Sequence, residues 1–389
     1  MSTAKSAAQR DMIFSSVPKP QPGSLGSVSR NPFMNAALPP RDEKYSLVLI
    51  GVLGILVLGA LSFQFSWDLQ LLGIGSVLLA FFLLNHFCWK IPFFPYDRIL
   101  SAVSSDGIKW QIEPGIRLDV GGIHASCQVY YPEVVAMSGG WRMYYRAGGY
   151  DSIVASAFSR DGLEWEVEPG ERIGAEGEGG IKKVDGSEVM DLGGGEWRMY
   201  YGGYDGRDWR IYSSRSCDGL EWDREAVCMG CPGELQAKDP CVISYGSGYR
   251  MYFMGYASGA GRIYSAASQD GVNWRDIQPC SGYNPEHRNV RNPCVLKLQD
   301  GKLRLYFAEF PGFSAMGSRI VSALSDDGLN WQREPEVRLT PGGQRWVHGV
   351  FCPDLQGLED GWRMYYGSYW GRHWLAPYTL FMHRERKQS

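Results

Sequence analysis

Ser104-Ser105-Asp106-Gly107-Ile108-Lys109-Trp110 is the first of five copies of one phrase, Ser-x-Asp-Gly-x-x-Trp. The later copies begin at Ser159, Ser216, Ser268 and Ser325. Their Asp positions, 106, 161, 218, 270 and 327, are separated by 55, 57, 52 and 57 residues. A repeat of this length, made of short strands and Asp-Gly turns, is typical of propeller blades. The repeat therefore predicts an all-β domain with five blades.

A second phrase, Arg-Met-Tyr-Tyr or a close variant, alternates with the first. Its five copies are Trp141–Tyr145, Trp197–Tyr201, Tyr249–Phe253, Leu303–Phe307 and Trp362–Tyr366. Their period-two alternation between glycines predicts strands. The chain enters the repeat at an Asp-Gly-Trp phrase and leaves it after an Arg-Met-Tyr phrase. We therefore expect the first hairpin, residues 98–112, to complete the fifth blade and remove the free sheet edges.

The five repeated Asp residues are interpreted as turn residues rather than as catalytic acids. Gly adopts a positive φ without steric cost, and an Asp side chain accepts hydrogen bonds from the backbone two residues further on. The Trp that ends each phrase offers a large apolar surface with which one blade can pack against the next.

The N-terminal part of the chain has a different composition. Residues 1–44 are rich in Ser and Pro and are predicted to be a disordered tail, with an organelle transit peptide as the alternative. Tyr45–Phe65 and Leu69–Trp89 are uncharged and long enough to cross a bilayer. They predict a two-helix transmembrane hairpin over 45–89 in contact with lipid, with two buried core helices as the alternative. Both ends of this hairpin lie on the same face of the membrane, and basic residues flank only that face. The positive-inside rule therefore predicts an integral membrane protein with its propeller on the cytoplasmic face.

Charge and cysteine usage exclude several classes of protein. The net charge of −3 gives no field that would attract nucleic acid, so no nucleic-acid partner is expected. Nine Cys residues, an odd number without a disulfide framework, agree with a reducing compartment. Cys228-Met-Gly-Cys231 has zinc-ligand spacing but lacks a partner pair, so neither a metal nor another cofactor is predicted.

The segment before each second phrase carries the candidate chemistry. These segments read Tyr131-Pro-Glu133, Asp185-Gly-Ser-Glu188, Lys238-Asp239-Pro240, Arg291-Asn292-Pro293 and Cys352-Pro-Asp354. Together with the five blades they resemble the five-bladed β-propeller superfamily of arabinanases, levansucrases and invertases, which is glycoside hydrolase family 43-like. The resemblance covers about residues 96–384. It implies a five-bladed propeller whose innermost strands project carboxylates into an axial funnel.

The resemblance implies catalytic roles for Asp239, Glu188, Glu133 and Asp354, in that order. Asp239 matches the family's Arg-Asp-Pro element best, in which the Asp steadies the transition state, and Pro240 favours an extended conformation at Asp239. Tyr131 and Asn292 stand where the family would have an ionisable Asp. The alternative is that each carboxylate accepts a backbone hydrogen bond at the top of a blade.

Basic and polar residues at the same strand openings predict ligand binding. The residues assigned to the ligand are Lys238, Arg291, Asn292, Arg288, His348 and Asp185. With Lys182, Lys183, Arg345, His124 and His287 they suggest an anionic ligand such as a sugar phosphate, a nucleotide sugar or a uronate. Aromatic residues that could stack on sugar rings, or pack within the blades, are Tyr204, Tyr256, Phe310, Phe313, Tyr369 and Trp370.

Two functions follow. The first is a membrane-tethered, glycosidase-like propeller that acts on or binds a carbohydrate in the axial funnel. The second is a non-catalytic accessory or scaffold subunit bound to an integral membrane partner, for example in a respiratory or photosynthetic assembly. An open funnel with carboxylates about 6.5–9.5 Å apart would favour an inverting enzyme. A plugged axis with an apolar outer patch would favour the scaffold.

Overall fold

The computed structural model describes residues 96–370, except 121–127, 149–151, 177–179, 230–234, 257–260, 285–287, 313–314 and 343–346. In this part of the chain, twenty strands form five four-stranded antiparallel sheets. The innermost strands of successive sheets contact each other, and the innermost strand of the last sheet contacts that of the first. The five sheets are therefore the blades of a closed propeller, as the repeat predicts.

The twenty strands follow one another along the chain with turns and loops between them. They are β1 Tyr96–Ser104, β2 Gln111–Ile112, β3 Val129–Met137, β4 Gly140–Ala147, β5 Ile153–Ser159, β6 Glu166–Val167, β7 Lys183–Gly193, β8 Glu196–Tyr204, β9 Trp209–Ser216, β10 Asp223–Met229, β11 Gln236–Tyr245, β12 Gly248–Tyr256, β13 Arg262–Ser268, β14 Arg275–Pro279, β15 Asn289–Lys297, β16 Leu303–Phe310, β17 Arg319–Ser325, β18 Gln332–Arg333, β19 Val347–Leu358 and β20 Gly361–Trp370. Blades one to four each take four consecutive strands, beginning with β3, β7, β11 and β15.

The fifth blade closes the ring by combining both ends of the repeat. Its strand order is β19-β20-β1-β2. β1 pairs with β20 without interruption, from Tyr96 opposite Trp370 to Ser104 opposite Trp362. The prediction that the first hairpin completes the last blade is confirmed.

The Asp-Gly phrases form turns. In the first, Asp106 Oδ1 accepts hydrogen bonds from the backbone N–H groups of Ile108 at 2.7 Å and Lys109 at 2.9 Å. Gly107 adopts a φ of +70°, which a residue with a Cβ rarely takes. The Lys109 and Ile108 N–H groups hold the pKa of Asp106 at about 2. The same bonds recur at the other four Asp residues, so their assignment as turn residues is confirmed.

The Trp and Tyr residues of the two phrases seal the seams between blades. Trp222 packs edge-on against Tyr144 of the preceding blade, with ring centroids 5.7 Å apart. The Tyr144 hydroxyl donates to the carbonyl of Gly219 in the same turn, at 2.8 Å. Equivalent contacts at other seams bury these tyrosines almost completely, so the regular spacing of the phrases reflects packing between blades.

Several predictions concern residues that the structure does not describe. The tail 1–44, the hairpin 45–89, the end of the chain after residue 370 and Cys231 lie outside the described residues. Within the described ranges, the propeller contains no helix with the length and apolar character that a membrane crossing requires. The transmembrane hairpin and the cytoplasmic location stay predictions.

Candidate functional site

Each innermost strand is interrupted by a β-bulge at the same height. In β11, Lys238 is opposite Met254 and Cys241 is opposite Tyr252, so two residues face one on the partner strand. The first of the two bulged residues in each blade has a positive φ. The values are 55° at Tyr131, 41° at Gly186, 57° at Asp239, 56° at Asn292 and 50° at Cys352. The extended conformation predicted for Asp239 is therefore wrong, because the bulge places this residue in the left-handed region.

The bulge separates the inner side chains into two layers around the axis. We call the five positive-φ residues the axial layer: Tyr131, Gly186, Asp239, Asn292 and Cys352. The residues two positions later are called the staple layer: Glu133, Glu188, Cys241, Cys294 and Asp354. Residues of both layers line one small cavity.

At four of the five junctions between blades, the staple layer accepts a hydrogen bond from a backbone N–H of the next blade. The acceptor and donor pairs are Asp354 Oδ2 with Val134 N (3.0 Å), Glu133 Oε1 with Val189 N (3.2 Å), Glu188 Oε1 with Val242 N (3.2 Å) and Cys241 Sγ with Val295 N (3.2 Å). The three carboxylates are at most 5% exposed. The structure thus brings Glu133, Glu188 and Asp354 to the axis and gives each a structural contact, while their catalytic role stays a prediction.

Asp239 is held from two sides within the axial layer. The Tyr131 hydroxyl donates to Asp239 Oδ1 at 2.7 Å, and Asn292 Nδ2 donates to Oδ2 at 2.9 Å. Tyr131 comes from the first blade and passes the second blade at Gly186, where an added Cβ would lie 3.2 Å from its ring. The two residues that replace the family's expected Asp are thus the hydrogen-bond donors to the one Asp of this layer.

A buried ion pair lies next to Asp239. Lys238 Nζ is 2.8 Å from Asp185 Oδ2 and 3.9 Å from Asp239 Oδ1. Burial raises the pKa of Asp239, and the Asp185 carboxylate adds to this shift against the opposing effect of Lys238. For Lys238, burial lowers the pKa, but the two carboxylates outweigh burial and the net pKa is raised. The group with Asp239 at its centre, Asp185, Lys238, Tyr131 and Asn292, is called the Asp239 cluster.

Asp97 and Arg146 extend this charged region and were missed by sequence reasoning. Arg146 Nε is 3.3 Å from Asp185 Oδ1. Asp97 is 5% exposed, and burial raises its pKa to about 7 against the lowering effect of Arg146. The repeat could have identified Asp97, because the equivalent positions in the other four copies carry uncharged residues. These residues are Ser152, Trp209, Gly261 and Ser318. Because only one of the five copies carries a charged residue at this position, that residue indicates a role other than forming the blade.

The remaining predicted ligand residues are distributed around the cluster. The Arg291 guanidinium lies over the Phe310 ring at 4.7 Å, and Lys183 Nζ lies 5.6 Å from the Tyr204 ring. The Arg288 backbone N–H donates to Asn284 Oδ1 at 2.9 Å, and the His348 carbonyl accepts from Gly317 N at 2.6 Å. His124, His287, Phe313 and Arg345 lie outside the described residues.

The predicted stacking aromatics have contacts within the propeller. Tyr256 donates to Gln236 Oε1 at 2.9 Å, Tyr204 packs on Trp209 at 5.4 Å, and Trp370 lies under Arg98 at 4.5 Å. Phe310 and Tyr369 are buried. The described aromatics therefore serve packing between strands in this conformation.

The axial cavity is small. Its free volume is about 30 Å³, which holds about two water molecules rather than a sugar ring. Tyr131 and Asp239 both line it, and Asp239 is 3% exposed. In this conformation the hydrogen bond from Tyr131 to Asp239 spans the axial layer beside this cavity.

Sequence comparison finds relatives that match part of this chain. The chain matches no protein-family profile. Two uncharacterized proteins of Mycobacterium tuberculosis, MT1551 and Rv1502, are 31% and 30% identical over 144 residues. Each match covers 33% of this chain and 48% of the relative, so the chain spans about half the length of the curated relatives it matches.

Solved structures share the architecture at low sequence identity. An α-L-arabinofuranosidase from Lactobacillus brevis matches with a TM-score of 0.50 and 13% identity, covering 60% of this chain and 80% of its own. A glycosyl hydrolase from Bacteroides ovatus matches with a TM-score of 0.51 and 15% identity, covering 64% and 84%. These likenesses show that the chain shares its fold, a five-bladed β-propeller, with the two solved structures.

Proposed function

We propose that the propeller is a glycosidase-like, carbohydrate-binding protein whose ligand contacts the Asp239 cluster. The observation that carries this proposal is a set of buried charges that the fold does not require. The staple layer already connects the blades, whereas burying Asp185, Lys238 and Asp239 costs several kcal/mol of desolvation per ion. A carboxyl group with a raised pKa beside a specific charge partner is typical of a functional site.

The chemistry of the cluster suits glycosidic bonds. Hydrolysis requires one carboxyl group that keeps its proton and a second that is ionised. Burial favours the protonated form of Asp239, while Asp185 lies in an ion pair with Lys238 at 2.8 Å. The α-L-arabinofuranosidase and the glycosyl hydrolase that share this fold support a carbohydrate as the ligand class.

Ligand entry requires a change at Tyr131. Because the free volume at the axis is about 30 Å³, a sugar ring fits only after the Tyr131 side chain leaves Asp239. The donated hydrogen bond at 2.7 Å is then replaced by a bond from a sugar hydroxyl. A sugar therefore competes with Tyr131 for the same carboxylate oxygen.

The second candidate function is the scaffold subunit. The small axial cavity favours it, because a propeller without room for a sugar at its axis binds a partner through its outer surface. An apolar docking surface is not evident in the described part of the propeller, where Ile116 and Val227 are the exposed large hydrophobic residues, at 41% and 43%. The proposal also includes membrane tethering through 45–89, a cytoplasmic location and an anionic sugar as the ligand. These three parts depend on the sequence alone.

A ligand screen tests the proposal on the full-length chain. Pentoses, hexoses, sugar phosphates and nucleotide sugars are added in thermal-shift measurements, and aryl α-L-arabinofuranosides are tested for hydrolysis. A ligand at about 100 times its dissociation constant raises the free energy of unfolding by about 2.7 kcal/mol. We expect Asp239→Asn to fold, since it keeps the shape of the side chain, and to lose the stabilisation.

Asp326→Asn is the matched control, because the Asp326 side chain is 84% exposed and lies on the outer surface. It should keep the full response to sugar. If no sugar class stabilises the chain and it co-purifies with an integral membrane complex, the scaffold function replaces the glycosidase-like one.

A further inference from the structure

Four blades share a partly buried network of an Arg on the second strand, a Ser on the third strand and a Glu on or just after the fourth strand. In the first blade Arg142 Nε and Nη2 donate to the two oxygens of Glu168 at 2.8 and 3.0 Å, and Ser156 Oγ donates to Glu168 Oε2 at 2.7 Å. Arg142 Nη1 donates to the Asp218 carbonyl in the turn of the next blade. The other copies are Arg198 with Glu225 and Ser213, Arg304 with Glu334 and Ser322, and Arg363 with Glu113 and Ser101.

The third blade keeps the Arg and the Ser but lacks the carboxylate. Arg250 and Ser265 occupy the repeat positions, while the residue at the spacing of the Glu is Ile277. A bulge with a φ of +52° at Asp276 shifts the strand, so that Gln278 is opposite Ser265. Among the described residues, no carboxylate lies within ion-pair distance of Arg250.

Arg250 and Ser265 border an open cavity with a free volume of about 390 Å³. Its lining includes Arg250, Ser265, Asp276, Gln278 and Leu329. This volume lies within the range of pockets for small ligands, about 300–1,000 Å³. It is far larger than the axial cavity and is open to solvent through the exposed side chains of Asp276 and Gln278.

The Arg250 guanidinium is nevertheless held in place. Its Nη1 donates to the Asp327 carbonyl at 2.6 Å, as Arg142 does in its own seam. Its Cζ lies 3.9 Å from the centre of the Tyr245 ring. Arg250 lines the cavity, and its Nε and Nη2, the atoms that bind Glu in the other four blades, are not used by the contact with Asp327.

We propose that this cavity binds a small carboxylate of about the size of a sugar acid, with its carboxylate on Arg250 and Ser265. The ligand carboxylate takes the place of the Glu side chain found in the four complete networks, accepting two parallel N–H bonds and one O–H bond. The negative charge of Asp276 at the rim favours a monoanion over a more highly charged phosphate. The site is separate from the Asp239 cluster and does not depend on the proposed function.

The test titrates the full-length chain with D-glucuronate and, as the neutral match, D-glucose, by isothermal titration calorimetry at low salt. We expect saturable glucuronate binding in the millimolar range and much weaker glucose binding. Gln278→Glu supplies a carboxylate opposite Ser265, and Arg250→Met removes the guanidinium edge. Each should weaken glucuronate binding about tenfold or more, the value of charge-assisted hydrogen bonds.

Gln111→Glu is the matched control, because it adds the same charge at an exposed position of β2, in a blade whose Arg363 is already paired with Glu113. It should leave glucuronate binding unchanged. Absence of glucuronate binding, or equal binding by wild type, Gln278→Glu and Arg250→Met, overturns the proposal. Binding that is lost only in Asp239→Asn also overturns it and assigns the sugar acid to the axial site.

Discussion

Substitution of Glu188 separates a structural from a catalytic role for the staple layer. Glu188 is 5% exposed, and its Oε1 accepts from Val242 N of the next blade at 3.2 Å. In Glu188→Ala this N–H loses its acceptor while it stays buried, which costs about 1–3 kcal/mol. With the lost packing of the Cγ methylene group, the free energy of unfolding should fall by roughly 2–4 kcal/mol. In contrast, Glu188→Gln keeps an oxygen at the same position and should cost less than about 1 kcal/mol.

The assay combines thermal unfolding with sugar binding. For a domain of this size a loss of 1 kcal/mol lowers Tm by about 2–4 °C, so Glu188→Ala should melt roughly 4–16 °C lower. Glu196→Ala is the control, because this side chain on β8 is 56% exposed and its loss should change stability by less than about 0.5 kcal/mol.

The Gln variant tests the chemistry directly. If Glu188 supplied or removed a proton in hydrolysis, Glu188→Gln would lower the rate by about 10²–10⁴. If Glu188 only accepts the hydrogen bond from Val242, Glu188→Gln should have the melting temperature and the ligand response of the wild type. The reasoning is refuted if Glu188→Ala melts like wild type and has lost sugar binding, because the side chain then contacts ligand rather than Val242.

Three further predictions concern the axis and the ring. Burial raises the pKa of Asp97 to about 7 in the folded protein, so the stability that its protonated form contributes is full below the unfolded pKa and is lost as pH rises through about 7. In urea unfolding at pH 5 and pH 8, Asp97→Asn should remove this loss of stability. An unchanged pH dependence would contradict the prediction. Gly186→Ala puts a Cβ 3.2 Å from the Tyr131 ring at a φ of +41°, so it should weaken the contact of Tyr131 with Asp239 and lower Tm by a few degrees; an unchanged Tm and unchanged sugar response would speak against this packing. Leu100→Pro removes a ladder hydrogen bond from β1, which lies between β20 and β2, and should lower the free energy of unfolding by about 1–3 kcal/mol; a melting temperature equal to wild type would argue against closure by β1.

The bulge explains how one short segment serves two purposes. In a regular strand, residues two positions apart share a face. At the bulge, Asp239 takes a φ of +57° and accepts hydrogen bonds from the side chains of Tyr131 and Asn292 in the axial layer, whereas Cys241 accepts one from the backbone N–H of Val295. The same strand opening therefore supplies a polar group at the axis and a link between neighbouring blades.

The sequence by itself determined the number of blades, the turns and the way the ring closes. These features depend on local signals, because an Asp-Gly turn is formed within a few residues and five copies of it can be counted. The half-unit offset of the two phrases predicted the pairing of β1 with β20, which the structure confirms. The inner-strand segments were also found from sequence, since their Pro and carboxylate residues recur with the repeat.

Only the tertiary structure decided what the inner carboxylates contact. Sequence reasoning placed Asp239 and Glu188 in one set, yet Asp239 is bonded by side chains of the first and fourth blades and Glu188 by a backbone N–H of the third. It also missed Asp97, which reaches the charged region from β1 in another blade. The physical reason is that these contacts depend on a positive φ at each bulge and on register between strands more than fifty residues apart, neither of which leaves a local pattern in the chain.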